Sequence, residues 1–211
     1  MKTKITQGIF IFATSMLLLL LSVQAISNSF YFSLHIGQYD SHQLVTWDHQ
    51  YALQEISAYL NGQRETLEFP STPGGTDVVM SERGLFHMED VAVLYEQGRI
   101  LAALFTVIAV ISGITLYDKK NLKQTLQKVW VFPVTLTAFL TVAMLIDFGA
   151  AFRLFHEVLF DNDLWILSAT DPLIVMLPRT FFFLTGLTIA VIYILLVGGL
   201  TLIGYRTKKE F

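Results

Sequence analysis

The chain has 211 residues, of which 54% are hydrophobic and only 15% are charged, whereas soluble domains carry about 25% charged residues. This composition, with a mean hydropathy of +0.56, excludes a disordered chain and argues against an ordinary soluble domain. A formal net charge of -3 argues against nucleic acid as a partner. Because the chain has no cysteine, it has no disulfide, no cysteine-ligated metal, no thiol nucleophile and no site for its own lipid anchor.

Four segments are long and apolar enough to cross a bilayer, whose hydrocarbon core of about 30 Å needs roughly 20 residues of helix. They are residues 8–28, 100–117, 129–148 and 181–205. We therefore predict an all-α membrane protein, a single membrane-embedded domain in which four transmembrane helices carry a small extracellular cap. We expect that cap to be mostly helical, with short strands as an alternative.

The first segment can also be interpreted as a secretory signal peptide. Lys2 and Lys4 precede it, and Val23-Gln24-Ala25 resembles a cleavage site. Its apolar run is longer than that of a usual signal peptide, so we expect an uncleaved transmembrane helix.

The basic residues predict the orientation. All lysines lie before the first segment, between the second and third, or after the fourth, and the side rich in lysine and arginine is cytoplasmic. Both termini are then cytoplasmic, and residues 30–99 and 149–180 form the extracellular cap. Nine basic and two acidic residues give the inner side a charge of +7, whereas five arginines and fifteen acids give the outer side -10.

Local patterns predict the elements of the cap. Residues 30–36 alternate loosely and favour a short strand, and residues 46–60 have helical periodicity that ends at Asn61-Gly62. Ser81 opens a helix that continues into the second transmembrane segment, and the helix after the third segment breaks at Asp161-Asn162-Asp163.

Two histidines stand out because their surroundings in the sequence are alike. Leu85-Phe86-His87 and Leu154-Phe155-His156 each place a histidine just outside a predicted transmembrane segment, on the same side of the membrane. On a helix Asp90 shares a face with His87 and is a candidate to orient its imidazole. The alternative is that both are interfacial histidines with their polar tips in water. For His35, His42 and His49 we expect solvated positions in loops rather than a metal site.

No motif of a known hydrolase, metalloprotease, P-loop protein or dinucleotide-binding protein occurs. His156 and Asp161 match the H-x4-D spacing of glycerolipid acyltransferases, a pattern that is common by chance. The aromatic residues near the membrane fit either an interfacial belt or the walls of a pocket for acyl chains.

These motifs resemble the bacterial lipoprotein intramolecular transacylase family, small membrane proteins with four transmembrane helices. One block of the resemblance is Ser81-Glu82-Arg83 leading to His87-Met88-x-Asp90-Val91. The second block is longer, and runs through Phe155-His156, Phe160, Asn162-Asp163-x-Trp165, Thr170-Asp171-x-Leu173-Ile174, Met176-Leu177-Pro178 and Phe181-Phe182. The number and order of the transmembrane helices agree, so the resemblance covers essentially the whole chain.

The resemblance implies an acyltransferase of the bacterial cell membrane with its active site at the extracellular face. In this family the acyl chain at the sn-2 position of a lipoprotein's diacylglyceryl group moves to the α-amino group of the N-terminal cysteine, which gives the lyso-form lipoprotein. The partners are then the diacylglyceryl-modified lipoprotein and membrane lipid, and no cofactor or metal is expected.

The family's two catalytic histidines map onto His87 and His156. We assign His87 as the base and His156 as the oxyanion donor or acid, with the reverse assignment left open. We predict substrate-binding or orienting roles for eight further residues: Asp90, Arg83, Arg153, Asp163, Trp165, Asp171, Phe86 and Phe155.

Two other functions remain as alternatives. One is a metal-dependent membrane lipid hydrolase that uses His87, Asp90, His156 and Asp161. The other is a membrane protein without enzymatic activity that binds lipid or a partner.

Overall fold

The computed structural model describes residues 2–34, 48–77, 79–117 and 119–206, and the regular structure in these ranges is entirely helical. The helices, in chain order, are α1 (Lys2–Ile26), α2 (Ser29–Ser33), α3 (His49–Leu60), α4 (Glu82–Thr115), α5 (Lys119–Leu126), α6 (Val131–Ile146), α7 (Phe148–Leu159), α8 (Pro172–Met176) and α9 (Arg179–Arg206).

Four helical segments in the described ranges are long and apolar enough to cross a membrane. They are Lys2–Ile26, Glu82–Thr115, Lys120–Ile146 and Arg179–Arg206. Each overlaps one of the segments predicted from the sequence, and the third consists of α6 together with most of α5. The prediction of an all-helical membrane protein with four transmembrane helices is therefore confirmed.

The chain folds as two compact units. The first unit contains Met1–Val23, Gly98–Ile146 and Gly186–Phe211, and the second contains Gln24–Gln97 and Asp147–Thr185. Helices α1, α4 and α9 each contribute residues to both units. The first unit thus holds most of the apolar helix, and the second holds both candidate histidines.

In the second unit, α3 begins and ends much as its sequence predicts. Asp48 caps the first turn, because its carboxylate accepts a hydrogen bond from the backbone N–H of Tyr51 at 3.0 Å. Asn61 follows the last residue, and Gly62 then takes a φ of 70°, which glycine adopts without strain. The helix packs against α2 and α8.

Residues 30–33 are helical and Leu34 lies in a turn, so the expectation of a strand is wrong for the described part of residues 30–36. Asn28 caps α2 by accepting a hydrogen bond from the backbone N–H of Tyr31 at 2.9 Å. A strand would place Tyr31 and Phe32 on opposite faces, whereas α2 buries both.

His49 is the first residue of α3 and is buried, so the expectation of a solvated loop position is wrong for it. His35 and His42 lie outside the described residues.

Polar contacts hold the C-terminal half of α3. The Asn61 side chain donates to the carbonyl oxygens of Ser27 at 2.6 Å and Ser57 at 2.8 Å, and accepts from Gln24 at 3.0 Å. The buried carboxylate of Glu55 is paired with both Nε and Nη2 of Arg64. A buried carboxylate needs such a partner because it has lost its water.

In the first unit, the buried serines satisfy their own hydroxyl groups. Ser15, Ser22 and Ser112 each donate to the carbonyl oxygen four residues earlier, at 2.6, 2.7 and 2.6 Å. Lipid offers no hydrogen-bond partner, so these internal bonds allow hydroxyl groups inside apolar helices.

A close contact between helices in the first unit requires glycine at position 204. A Cβ atom built on Gly204 of α9 lies 2.7 Å from the Cβ of Leu126 and 3.0 Å from the backbone N of Gln127. Gln127 also donates from its side chain to the carbonyl oxygen of Gly204 at 3.3 Å. Because the obstacles include backbone, a larger residue at 204 forces the helices to separate.

We expect Gly204→Ala to lower the thermal unfolding midpoint of the purified protein, since overpacking costs about 1–3 kcal/mol. Gly198→Ala on the same helix is the matched control, because a Cβ at Gly198 meets nothing within 4 Å and alanine gains roughly 1 kcal/mol of helix propensity. An unfolding midpoint of Gly204→Ala equal to or above that of Gly198→Ala contradicts this account of the contact.

Candidate active site

His87 and His156 come together in the second unit. The centroids of their imidazole rings are 5.9 Å apart, and the residues are only 8% and 7% exposed. Both lie near helix ends: His87 in the second turn of α4, and His156 in the last turn of α7. The prediction that these two histidines form a pair gains direct geometric support.

The N-terminal cap of α4 sets the position of His87. The Ser81 hydroxyl accepts a hydrogen bond from the backbone N–H of Gly84 at 3.0 Å, and the Ser81 carbonyl accepts one from Leu85 at 2.9 Å. The same hydroxyl donates to the Asp171 carboxylate at 2.6 Å. A Cβ on Gly84 reaches 3.0 Å from the Ser81 hydroxyl, so the turn is closed too tightly for a larger residue.

A backbone hydrogen bond fixes the tautomer of His156. Nδ1 of His156 lies 2.7 Å from the carbonyl oxygen of Phe152. Because a carbonyl oxygen only accepts, Nδ1 carries the proton, and Nε2 of the neutral ring keeps its lone pair. Nε2 is therefore the basic atom of this side chain.

Aromatic rings surround the His156 imidazole. The ring centroids of Phe152, Trp165, Phe155 and Phe160 lie 4.2, 4.9, 5.3 and 5.7 Å from its own. These rings displace water from the imidazole and restrict its rotation.

His87 is buried to a similar extent. Its Nδ1 is buried and has no hydrogen-bond partner among the described residues, and the ring of Phe160 lies 5.3 Å away. The site is nevertheless outside the apolar part of α4, because residues 87–104 contain four charged side chains. A transmembrane segment with that many charges is rare.

Burial makes both imidazoles neutral at pH 7. The pKa of His87 falls to about 4 through loss of solvation and repulsion from His156, and the attraction of Asp90 opposes this only in part. Loss of solvation also lowers the pKa of His156, against the opposing effect of the Phe152 carbonyl. A neutral imidazole offers one lone pair and one N–H, so this pair supplies a base and a donor without a net charge.

The Asp90 carboxylate forms a different hydrogen bond from the one expected. It accepts from the side-chain amide of Asn162 at 2.9 Å, and its influence on His87 is electrostatic.

Other predicted residues tie the segment after α7 to the start of α4. Arg83 donates through Nε to the carbonyl oxygen of Ile166 at 3.1 Å, and through Nη2 to the carbonyl and, at 3.1 Å, the carboxylate of Asp163. Asp171 accepts from Ser81 and caps α8 through the backbone N–H of Leu173 at 2.9 Å. Arg83, Asp163 and Asp171 thus form structural contacts around the histidines.

Three predicted residues remain largely open to the surroundings. Phe86 is 47% exposed and Phe155 is 55% exposed, each next to one of the histidines in sequence. Arg153 is also exposed. Among the described residues no three His, Asp or Glu side chains converge into a metal-binding group, so the four residues of the hydrolase alternative do not have the arrangement of a metal site.

Two contributors were missed as site residues from the sequence. The Phe152 carbonyl is a backbone group, and the only available signal was its position four residues before His156 in a helix. Asn162 was noted in a helix break and in the family resemblance but was given no role, although asparagine before a short turn often bonds backbone groups two residues later.

Comparisons with known proteins identify a family and a shared fold. A family model described as "Lipoprotein intramolecular transacylase Lit" matches residues 8–182. No curated protein sequence matches the chain.

Three solved structures of the membrane integral lipoprotein intramolecular transacylase Lit from Bacillus cereus are similar to this chain, each with 23% sequence identity. The first has a TM-score of 0.80 and covers 97% of this chain and 93% of that one. Two variants, in which a histidine is replaced by arginine or by alanine, have TM-scores of 0.77 and 0.78. They cover 97% and 100% of this chain, and 89% and 96% of those chains.

These structures share the fold of the present chain over nearly its whole length. Because the family model spans most of the chain, this protein belongs to the lipoprotein intramolecular transacylase family Lit.

Proposed function

We propose that this protein moves the acyl chain at the sn-2 oxygen of a lipoprotein's diacylglyceryl group to the α-amino group of its N-terminal cysteine. The observation that carries the proposal is the pair of buried, neutral imidazoles 5.9 Å apart in a member of this family. Donor ester and acceptor amine belong to one substrate molecule, so no acyl-enzyme is required.

The reaction is an exchange of one bond for another. An N–C amide bond forms at the ester carbonyl, the C–O bond to the sn-2 oxygen breaks, and a proton from the amine ends on that oxygen. Attack closes a medium ring through the cysteine, its sulfur and two glyceryl carbons. A site that holds the substrate folded recovers several kcal/mol of the barrier from this entropic cost.

The two histidines meet the two chemical needs of this exchange. The amine attacks in its neutral form, whereas its pKa of about 7.7–8.0 keeps most of it protonated at pH 7. A base must take the amine proton and an N–H donor must stabilise the oxyanion.

The hydrogen bonding favours His156 as the base and His87 as the oxyanion donor, the reverse of the assignment preferred from the sequence. Nε2 of His156 has a lone pair fixed by the bond from Nδ1 to the Phe152 carbonyl, and this bond also stabilises the imidazolium that forms. A His87 pKa of about 4 makes it a weak base but leaves a neutral N–H for the oxyanion, a role documented for other buried histidines. His156 then returns its proton to the departing sn-2 oxygen.

The exposed rings of Phe86 and Phe155 give the substrate an apolar surface beside each histidine. We assign them to contact with the acyl chain and the glyceryl group. Arg153 is exposed on the same helix as His156 and provides N–H donors for carbonyl oxygens of the substrate.

Glutamine and leucine substitutions distinguish the two roles. His156→Gln and His156→Leu both remove the base and lower the transfer rate by about 100- to 10,000-fold. His87→Leu lowers it by about 100- to 1,000-fold, whereas His87→Gln keeps an N–H donor and retains more activity than His87→Leu. Tandem mass spectrometry of a defined diacyl lipopeptide locates the acyl chain on oxygen or nitrogen and detects any free fatty acid.

His49→Gln is the matched control, since it removes another buried histidine of the second unit and leaves the transfer rate near that of the wild type. Full activity in either leucine variant rejects the proposed function. Partial rescue by glutamine at 156 but not at 87 reverses the roles, and release of fatty acid supports the hydrolase.

Histidine titrations test the electrostatics of the pair. We expect NMR of isotope-labelled histidine to show His87 titrating near pH 4. His156→Gln removes a repulsion that opposes the His87 imidazolium, so it raises this pKa. Asp90→Asn removes an attraction, so it lowers the pKa further. A His87 midpoint at 6.5 or above in the wild-type protein contradicts the buried, neutral pair.

The distribution of lysines supports an extracellular site, because the segments that carry both histidines lie on the side opposite to the lysines. We assign the protein to the bacterial cell membrane in this orientation, with its termini in the cytoplasm.

The absence of cysteine makes this orientation directly testable. Thr76 lies in an exposed loop of the second unit, and Lys120 lies at an exposed position near the start of α5. The variants Thr76→Cys and Lys120→Cys each introduce a single thiol. In intact cells a membrane-impermeant maleimide labels Thr76→Cys and leaves Lys120→Cys unlabelled until the cells are permeabilised. The opposite pattern means that the site faces the cytoplasm.

A further inference from the structure

The segment from Phe160 to Asp171, here called the return loop, joins α7 to α8 and is bound to α4 at three places. Asp171 accepts from Ser81, Asp163 pairs with Arg83, and Asn162 donates to Asp90. The first two bonds lie at the start of α4. The third lies one turn beyond His87 and faces the same part of the molecule as the histidine pair.

Three polar groups of Asn162 form hydrogen bonds in this region. Its side-chain N–H donates to the Asp90 carboxylate at 2.9 Å, and its side-chain oxygen accepts from the backbone N–H of Leu164 at 3.0 Å. Its backbone carbonyl accepts from the indole N–H of Trp165 at 3.0 Å. The amide orientation is unambiguous, because a carboxylate only accepts and a backbone N–H only donates.

Trp165 contacts both Asn162 and His156. The indole and imidazole centroids are 4.9 Å apart and the ring planes are inclined by 33°, while the Phe152 ring lies 4.2 Å from the imidazole. With Nδ1 bound to the Phe152 carbonyl, a shift of the indole changes the direction in which Nε2 points.

These contacts form a closed path between the two histidines. Asp90 and His87 lie three residues apart on the same helix, α4. A side chain that is hydrogen-bonded to Asp90 is therefore also held in place relative to His87. The path runs from Asp90 through Asn162 and Trp165 to His156, whose ring lies 5.9 Å from that of His87. Backbone connectivity alone does not fix this separation, because α4 and α7 are distant in the chain.

We propose that Asn162 is a positioning residue that fixes His156 relative to His87, acting through its bond to Asp90 and its hold on Trp165. The inference rests on the proposed function, in which both histidines act on one substrate. Asn162 itself touches no reacting atom. Reacting groups must meet at about 3–3.5 Å, and a misplacement of 1 Å costs about 100-fold in rate.

A reversal of the hydrogen bond tests this role. Asn162→Asp places two carboxylates against each other and breaks the bond to Asp90, yet keeps the oxygen that caps Leu164. Asp90→Asn combined with Asn162→Asp restores a donor and an acceptor in the reverse order. We expect the single variant to lower kcat at least tenfold with little change in KM, and the double variant to recover most of that loss.

A second readout follows the indole directly. With fluorinated tryptophan incorporated, the 19F resonance of Trp165, assigned by its loss in Trp165→Phe, is sensitive to the neighbouring rings. We expect it to shift in Asn162→Asp and to return toward its original position in the double variant.

Asn61→Asp is the matched control, because Asn61 is a hydrogen-bonded asparagine of the second unit. We expect its kcat per folded molecule, and the Trp165 resonance, to stay as in the wild type. A lower unfolding midpoint in Asn162→Asp with an unchanged kcat per folded molecule overturns the proposal, as does a double variant that recovers neither signal. A failure of the proposed function is distinguishable from a failure of this inference, because it appears as full activity in His156→Leu.

Discussion

Two buried imidazole rings lie close together in this protein, and the lack of solvation there disfavours the protonated form of each. The centroids are 5.9 Å apart and burial dominates the lowered pKa of each ring. Burial therefore keeps the rings neutral at pH 7, and the nearby acid Asp90 opposes this effect at His87. In the mechanism that we propose, one neutral ring is the base and the other the donor, and the two must be held in register, because neither ring has an ion pair among the described residues.

The hydrogen bonds around the pair give each ring a different character. His156 is fixed by a backbone carbonyl on its own helix, a bond that any residue at position 152 would supply. His87 has an unpartnered, buried Nδ1 among the described residues, and it takes its place from the cap of α4. The return loop joins these two local arrangements, through bonds to Ser81, Arg83 and Asp90. Local helix geometry sets each imidazole, and long-range polar contacts set the relation between them.

The sequence was sufficient for features that depend on one segment at a time. Runs of apolar residues identify a transmembrane helix whatever its neighbours, and Asn61-Gly62 ends α3 by local conformation alone. The same reasoning fails for residues 30–34, because a short alternating stretch is compatible with either a strand or a helix. The cap that Asn28 provides favours the helix.

The arrangement of the site depended on contacts that no local pattern contains. Asp90 was expected to orient His87, since both share a helix face, yet its hydrogen bond goes to Asn162, 72 residues later in the chain. The proposal that His156 is the base depends on the short distance between its Nδ1 and the Phe152 carbonyl oxygen. From the sequence alone, the pairing of His87 with His156 is predictable only from their similar sequence surroundings and from the family resemblance.

In the mechanism that we propose, the surroundings of the pair also influence which nucleophile receives the acyl group. Water and an amine compete for an ester carbonyl, and a base that is open to solvent activates water as readily as an amine. Four aromatic rings lie within 6 Å of the His156 ring centroid, and the residue is only 7% exposed. In the proposed mechanism the bound substrate covers what remains open of this apolar site, so the nitrogen that the substrate itself carries is the favoured acceptor. In the mechanism that we propose, the burial that lowers the pKa of both imidazoles also favours transfer within the substrate over hydrolysis.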